Sequence, residues 1–205
     1  MKRKILVATT NPGKVAELRA MLDVKVRWLS LSDFDDIAKI EEDGLTFVEN
    51  ACKKAMGYAK ATGLWTISDD SGLVIDALEG GPGIESARFC GEKLEGNNRK
   101  EIDRRNIAKV LKLLQGVPKE KRTARFVCCL CLASPDEILI EMEGTLEGLI
   151  SDRPLGENGF GYDPIFFVPE LNKTVAQLTA EEKNAISHRG NAIRKLKPML
   201  DRLLK

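Results

Sequence analysis

Ser68-Asp69-Asp70-Ser71-Gly72 sets two carboxylates side by side at the end of the apolar run Leu64-Trp65-Thr66-Ile67. Adjacent like charges repel, so a hydrophobic core has no use for them. A solvated turn does, and so does a site that holds a divalent cation. If the run is a strand, neighbouring side chains point to opposite faces, and only one of the two acids faces the site. A second acidic spot, Glu41-Glu42-Asp43, lies upstream. Mg2+ takes oxygen ligands, commonly one or two carboxylates completed by water and substrate phosphate. Acids at the ends of separate elements match that need, although Glu41-Glu42-Asp43 alone reads as a solvated loop.

Three more islands carry chemistry. "TTNPGK", Thr9 to Lys14, reads as a strand-to-helix loop with Asn11 as N-cap and Pro12 at the first helical position. N–H groups at a helix start attract phosphate, and Lys14 adds a full charge there. A Walker A loop is excluded because G-x-x-x-x-G-K is absent. "GFGYD", Gly159 to Asp163, combines glycines that admit a close ligand with two flat faces, Phe160 and Tyr162, on which a base could stack. "EEKNAISHRG" places Lys183, His188 and Arg189 near a helix C-terminus, where cations also serve the helix dipole. Each island has a bland reading. Together they supply what a nucleoside triphosphate needs: cations for phosphate, carboxylates for metal, aromatics for a base.

The elements that must position these groups alternate. "KRKILVA" reads as a buried strand, followed by a helix with the stripe Val15, Leu18, Met21 and Leu22, then a strand near "VKVRWLSL". Thr46 and Glu49 have capping-box spacing and open a helix whose inner stripe is Val48, Ala51, Cys52 and Ala55, with Gly63 as its stop. "LWTIS" then delivers Asp69-Asp70 at a strand end, and "LVIDAL" reads as a further strand. "NNRKEIDRRNIAKVLKLLQG" is an amphipathic helix. "ARFVCCLCLAS" and "EILIEMEGTLEGLI" pair around Ser134-Pro135-Asp136, with Glu143, Thr145 and Glu147 on a wet face. Thr179 and Glu182 form another capping box, and the C-terminal stretch is helical with a possible bend at Pro198. The expected fold is α/β: a mixed sheet flanked by helices on both faces, with the middle hairpin forming a second lobe.

Whole-chain properties narrow the class. The 205 residues suffice for one large domain, 43% are apolar, and 32 Lys+Arg against 31 Asp+Glu leave a formal charge of +1. That balance argues against bulk binding to nucleic acid or an anionic membrane. No run approaches the roughly 20 apolar residues of a membrane span. The basic start is followed only by "ILVA", too short for a signal peptide, so the cytoplasm is expected. Of the five cysteines, Cys128 and Cys131 have C-x-x-C spacing, but in a strand they point apart. With no second pair to complete a zinc site, they read as buried thiols.

In "ATTNPGKVAEL", "GLTFVENACKKA", "SDDSGLVIDALEGGPGIESAR", "GFGYDPIFFVP" and "LTAEEKNAISHRGNAI" the chain resembles the inosine triphosphate pyrophosphatase family. These stretches run in the family's order and span most of the chain, while residues 23–38 and 92–122 carry little of the signal. The resemblance implies a single elongated domain over residues 1–205, with two lobes around a central cleft, and a homodimer. It implies Mg2+-dependent hydrolysis of ITP, dITP and XTP to the monophosphate and pyrophosphate. Thr9, Thr10, Asn11, Pro12, Gly13 and Lys14 would hold phosphate, joined by Lys54 from the exposed side of its helix. Asp70 would accept the proton and, with Glu41 or its neighbour Glu42, bind the metal, and Ser71 would touch substrate. Phe160, Gly161, Tyr162 and Asp163 would line the base pocket, completed by Lys183, His188 and Arg189. A Maf-like pyrophosphatase would share the reaction but lack "GFGYDP" followed by "ISHRG". A nucleotide sensor without catalysis would not need Asp70.

Overall fold

The computed structural model describes residues 2–91 and 99–205. Seven strands form one open mixed sheet in the order β2-β1-β3-β4-β5-β6-β7. They are β1 (Lys4–Ala8), β2 (Arg27–Ser30), β3 (Trp65–Ile75), β4 (Thr123–Ala133), β5 (Ile138–Ile150), β6 (Phe166–Val168) and β7 (Lys173–Thr174). β1 pairs in parallel with both β2 and β3, with Ala8 opposite Ser68. The helices are α1 (Pro12–Met21), α2 (Phe47–Thr62), α3 (Arg99–Leu113), α4 (Ala180–Ile186) and α5 (His188–Leu203). The expected Asn97-Asn98 start of α3 lies outside the described residues.

Most punctuation follows the sequence. Asn11 caps α1 by accepting from Gly13 N at 3.0 Å, with Pro12 in the first turn. Thr46 caps α2 by accepting from Glu49 N at 3.2 Å, and Gly63 closes that helix at φ +69, a left-handed conformation open to glycine without steric cost. Thr179 and Glu182 form the full capping box of α4.

Three expectations change. "LWTIS" and "LVIDAL" are one strand: β3 continues through Asp69, Asp70 and Gly72 to Ile75, so the paired acids lie in its interior rather than at its end. Buried cations carry them there, and Ser68 Oγ ties the same strand to α2 by donating to Ala51 O at 2.5 Å. In α2 the inner face is Ala51, Ala55, Tyr58 and Ala59 together with Asn50 and Lys54, whereas Val48 is exposed. His188 and Arg189 do not end a helix. They lie just beyond Ser187, the C-cap of α4 whose last turn carries Lys183, and begin α5, where Arg189 is held by Asp69 and Glu17.

The chain divides into two compact units. The first comprises residues 1–70, 128–144 and 188–205. Its core joins Ile5 and Val7 of β1, Leu18 and Leu22 of α1, Ile67 of β3, Leu130 and Leu132 of β4, and Ile193, Leu196 and Leu200 of α5. The second comprises residues 71–127 and 145–187. Leu73 and Ile75, Ile107, Val110 and Leu114 of α3, and the stacked rings of Phe126 and Phe166 at 4.3 Å form its core.

Candidate active site

Alternation along β3 sends the two acids to different surroundings. Asp69 is sealed from solvent. Arg189 donates to it from Nε at 2.6 Å and Lys14 Nζ lies 2.5 Å from its other oxygen. Cys128 Sγ adds a donor at 3.3 Å, and Arg189 also pairs with Glu17. Burial opposes the Asp69 charge, but Arg189 and Lys14 outweigh it and hold the carboxyl well below the usual range.

Asp70 is 9% exposed and meets Lys54 at 3.5 Å. Lys54 is closer to Glu42, at 2.7 Å, and donates to Asp69 O at 2.9 Å. It reaches these acceptors from the buried face of α2, not from the exposed side the sequence suggested. The acidic loop is pinned to the same helix. Asn50 Oδ1 accepts from Gly44 N at 2.8 Å, and Tyr58 Oη accepts from Ile40 N at 3.3 Å. That loop geometry brings Glu42 to Lys54 and leaves Glu41 exposed. Burial pushes the Asp70 carboxyl up to about 6, with Glu42 and Asp69 adding repulsion against the pull of Lys54 and Lys14. For Glu42 burial is outweighed by Lys54, and its carboxyl is lowered.

Among Glu17, Glu42, Asp69, Asp70, Lys14, Lys54 and Arg189, carboxylates outnumber cations by one. The unbalanced charge sits at the partly accessible pair Asp70 and Glu42. Two carboxylates from separate elements sharing one lysine are a donor set that fits Mg2+ completed by water and phosphate oxygens. No cluster of three or more His, Cys, Asp or Glu able to hold a metal occurs among the described residues.

The TTNPGK loop is less open than its sequence suggests. The N–H groups of Gly13 and Lys14 go to the Asn11 side chain, and that of Val15 to Asn11 O. Thr9 Oγ1 accepts from Asn11 N, while Thr10 is exposed. The helix start therefore offers phosphate the Lys14 charge and the Thr10 surface rather than a row of bare N–H groups.

In the second unit Asp163, buried at 3% exposure, accepts from Lys183 Nζ at 2.6 Å and from Phe160 N at 2.9 Å. Lys183 Nζ also lies 4.4 Å from the centre of the Phe160 ring. Gly159 is required twice over: its φ is +76, and a Cβ there would lie 2.0 Å from Asp163 Oδ2. Gly161 N donates to Asp103 Oδ2 at 2.8 Å. Tyr162 is a core residue whose hydroxyl donates to Ser86 O at 2.9 Å, so of the two aromatics only Phe160 keeps a partly accessible ring. Ser71 follows Asp70 in β3 and is partly buried, and His188 is buried at the start of α5.

The structure thus gathers Lys14, Lys54, Asp70 and Arg189 in one unit, and Phe160, Gly161, Tyr162, Asp163 and Lys183 in the other. Arg189, expected in the base pocket, is spent on Asp69 and Glu17. The sequence motifs assign a role to neither Glu17 nor Asp103. Each has a local cue, Glu17 one helical turn after Lys14 and Asp103 one turn after Arg99, but the contacts that matter, Glu17 with Arg189 and Asp103 with Gly161, 58 residues away, are not visible in the pattern. Cys128, Cys129 and Cys131 are buried free thiols: burial pushes Cys129 up to about 12, and Cys128 and Cys131 well above their ordinary value, with the free thiol of Cys52 beside Cys131.

A model of the Ham1 family matches residues 5–199. A dITP/XTP pyrophosphatase of Geobacter sulfurreducens is 50% identical over 198 residues, covering 96% of each chain. One from Bacillus subtilis is 48% identical over 204 residues, covering 97% of this chain and 98% of its own. Among solved structures, the Ham1 protein of Staphylococcus aureus superposes with a TM-score of 0.84 at 42% identity, covering 98% of this chain and 100% of its own. A HAM1 protein from Coxiella burnetii gives 0.85 at 41%, covering 98% and 99%.

Proposed function

The chain belongs to the Ham1 family, and from that premise we propose that it is a nucleoside triphosphate pyrophosphatase. Its substrates are ITP, dITP and XTP, hydrolysed to the monophosphate and pyrophosphate. The names of its relatives, dITP/XTP pyrophosphatases at near-half identity over nearly full length, support the activity and the substrate class. The observation that carries the chemistry is Asp70: a carboxylate only 9% exposed, raised to about 6, that shares Lys54 with Glu42.

Asp70 accepts a proton from the water that attacks the α-phosphorus. A base raised toward neutrality is still mostly ionised at pH 7 and holds the proton it takes better than an ordinary aspartate does. The bond from the α-phosphorus to its bridging oxygen breaks, and pyrophosphate leaves with the electron pair. Lys14 and Lys54 stabilise the charge that gathers on the departing phosphates. Asp70 and Glu42 would hold Mg2+, which, when bound, neutralises phosphate charge and lowers the pKa of its water. Arg189 and Lys14 keep Asp69 charged and fixed, which fixes the strand on which Asp70 stands.

Selection of the base rests on Phe160, Asp163 and Lys183. The N–H groups of Phe160 and Gly161 already serve Asp163 and Asp103, so they are not the donors for a 6-oxo group. The Lys183 ammonium, a cation at 2.6 Å from Asp163 and beside the Phe160 ring, is assigned that role. A 6-amino base would strand it, at about 1–3 kcal/mol per unpaired donor. A homodimer completes the proposal, with sedimentation as its measurement.

The test is pyrophosphate release from ITP, dITP, XTP, GTP and ATP, with Mg2+ and with EDTA. Turnover of the first three, lost in EDTA, is expected. Binding of ITP with no pyrophosphate released would make the protein a sensor, and a preference for non-purine nucleotides would overturn the substrate class.

A further inference from the structure

Within the second unit, the aromatic loop is fastened from outside itself at two consecutive residues. Gly161 N donates to Asp103 Oδ2 at 2.8 Å. The Tyr162 hydroxyl donates to Ser86 O, which also receives Asn106 Nδ2 at 3.3 Å. Asp103 and Asn106 are one turn apart on α3, so a single helix edge holds both points. The Asp103 side chain is only 13% exposed, and Arg99, one turn earlier, pairs with its other oxygen at 3.2 Å. A carboxylate held by an arginine and accepting a backbone N–H makes a charge-assisted bond, roughly twice as strong as a neutral one. Gly161 has a φ of +61, and among the described residues other than its chain neighbours no heavy atom lies within 4 Å of where a Cβ would stand, so the Asp103 bond is a hold on this backbone turn.

We infer that Asp103 is a positioning residue for base recognition, acting through Gly161 to fix the angle of the Phe160 ring. This rests on the proposed nucleotide activity. Phe160 is joined to Gly161 by one peptide bond, and its own N–H is held on the other side by Asp163. With both attachments made, the ring is preset before a base arrives. With Asp103 removed, the loop loses its anchor at Gly161 while keeping those at Tyr162 and Asp163, and ordering the backbone between them becomes part of the binding cost. The phosphate-handling residues belong to the other unit and keep their partners, so the loss falls on base affinity and not on the chemical step.

The experiment compares wild type, Asp103→Ala and Asp103→Asn by two readouts. Amide hydrogen exchange of the loop is measured without nucleotide, and kcat and KM are measured with ITP. Asp103→Ala is expected to speed exchange at the Gly161 amide roughly tenfold and to raise KM roughly tenfold with kcat within about twofold, the signature of lost uniform binding. Asp103→Asn, which keeps an acceptor oxygen, is expected to recover most of both. Unchanged loop exchange overturns the inference. So does a fall in kcat at constant KM with faster exchange across α3 and the core, which marks general destabilisation. Were wild type itself inactive on ITP, the functional reading would fail, while the exchange readout would still decide whether Asp103 anchors the loop.

Discussion

Arg189 donates from Nε to Asp69 Oδ2 across 2.6 Å, with both side chains closed off from water. The pair joins the first turn of α5 to the middle of β3, elements 120 residues apart in sequence. Its partners Lys14 and Glu17 extend it into α1. Removing one member strands buried charge. Arg189→Met and Asp69→Asn are each expected to lose about 3–5 kcal/mol in urea unfolding at pH 7. The Asp69 carboxyl is lowered on folding, so its stabilisation is full above its ordinary pKa of 3.8 and fades as pH falls through the lower folded value. Wild type should therefore lose stability below about pH 4, and Asp69→Asn should lack that acid component. Wild-type stability that is flat down to pH 2 would contradict this role.

Asp70 behaves oppositely. Its carboxyl, at about 6 in the folded chain against 3.8 ordinarily, binds its proton more tightly when folded. The native state then carries more protons between those values, and its stability falls as pH rises through that window. Asp70→Asn removes the cost. It is expected to gain about 1–3 kcal/mol at pH 7.5, with the gain vanishing near pH 4, while kcat drops about 10²–10⁴-fold. Thermal scans with EDTA at both pH values, alongside pyrophosphate release, check both halves. An active or destabilised Asp70→Asn protein would remove Asp70 from its assigned role.

Glu41 and Glu42 are neighbours with unlike surroundings. Glu42 shares Lys54 with Asp70, and Glu41 faces solvent. Glu42→Gln should raise the Mg2+ concentration for half-maximal turnover about tenfold or more, and Glu41→Gln should leave it unchanged. A magnesium titration of both variants decides the matter; equal curves would take the acidic loop out of the metal site.

Much of this arrangement could be read from residue order. The cap at Asn11, the box at Thr46 and Glu49, the glycine stop at position 63 and the α/β class follow from local chemistry. What escaped depends on contacts distant in the chain. β3 runs unbroken through Ser68-Asp69-Asp70-Ser71-Gly72 because Arg189, Lys14 and Lys54 neutralise acids that locally favour a turn. Lys54 is buried for the same reason, and helical periodicity gives no sign of acidic partners arriving from a loop and a strand. Tyr162 looked like a stacking face because its sequence neighbours are glycines, but Ser86, 76 residues away, receives its hydroxyl and the core takes its ring. Of the site, the residue types were legible; which acid each cation would meet was not.

Gly144 in β5 packs directly against the backbone of the first turn of α5. A Cβ there would lie 2.2 Å from His188 O and 2.4 Å from Ala192 N, both backbone atoms that cannot rotate aside. Gly144→Ala must therefore push back the first turn of the helix that carries Arg189. Overpacking of this kind typically costs about 1–3 kcal/mol, or several degrees in Tm at this chain length. The same shift loosens Arg189 from Asp69, so turnover should fall along with stability. Gly57→Ala is the matched control: its obstacle is the side chain of Ile40, 2.7 Å away on a loop, and alanine favours the surrounding helix by up to about 1 kcal/mol. Thermal unfolding of the two variants should show Gly144→Ala clearly lower than Gly57→Ala. If Gly144→Ala melts with wild type and keeps full turnover, α5 is not seated tightly enough on β5 to hold Arg189 in place.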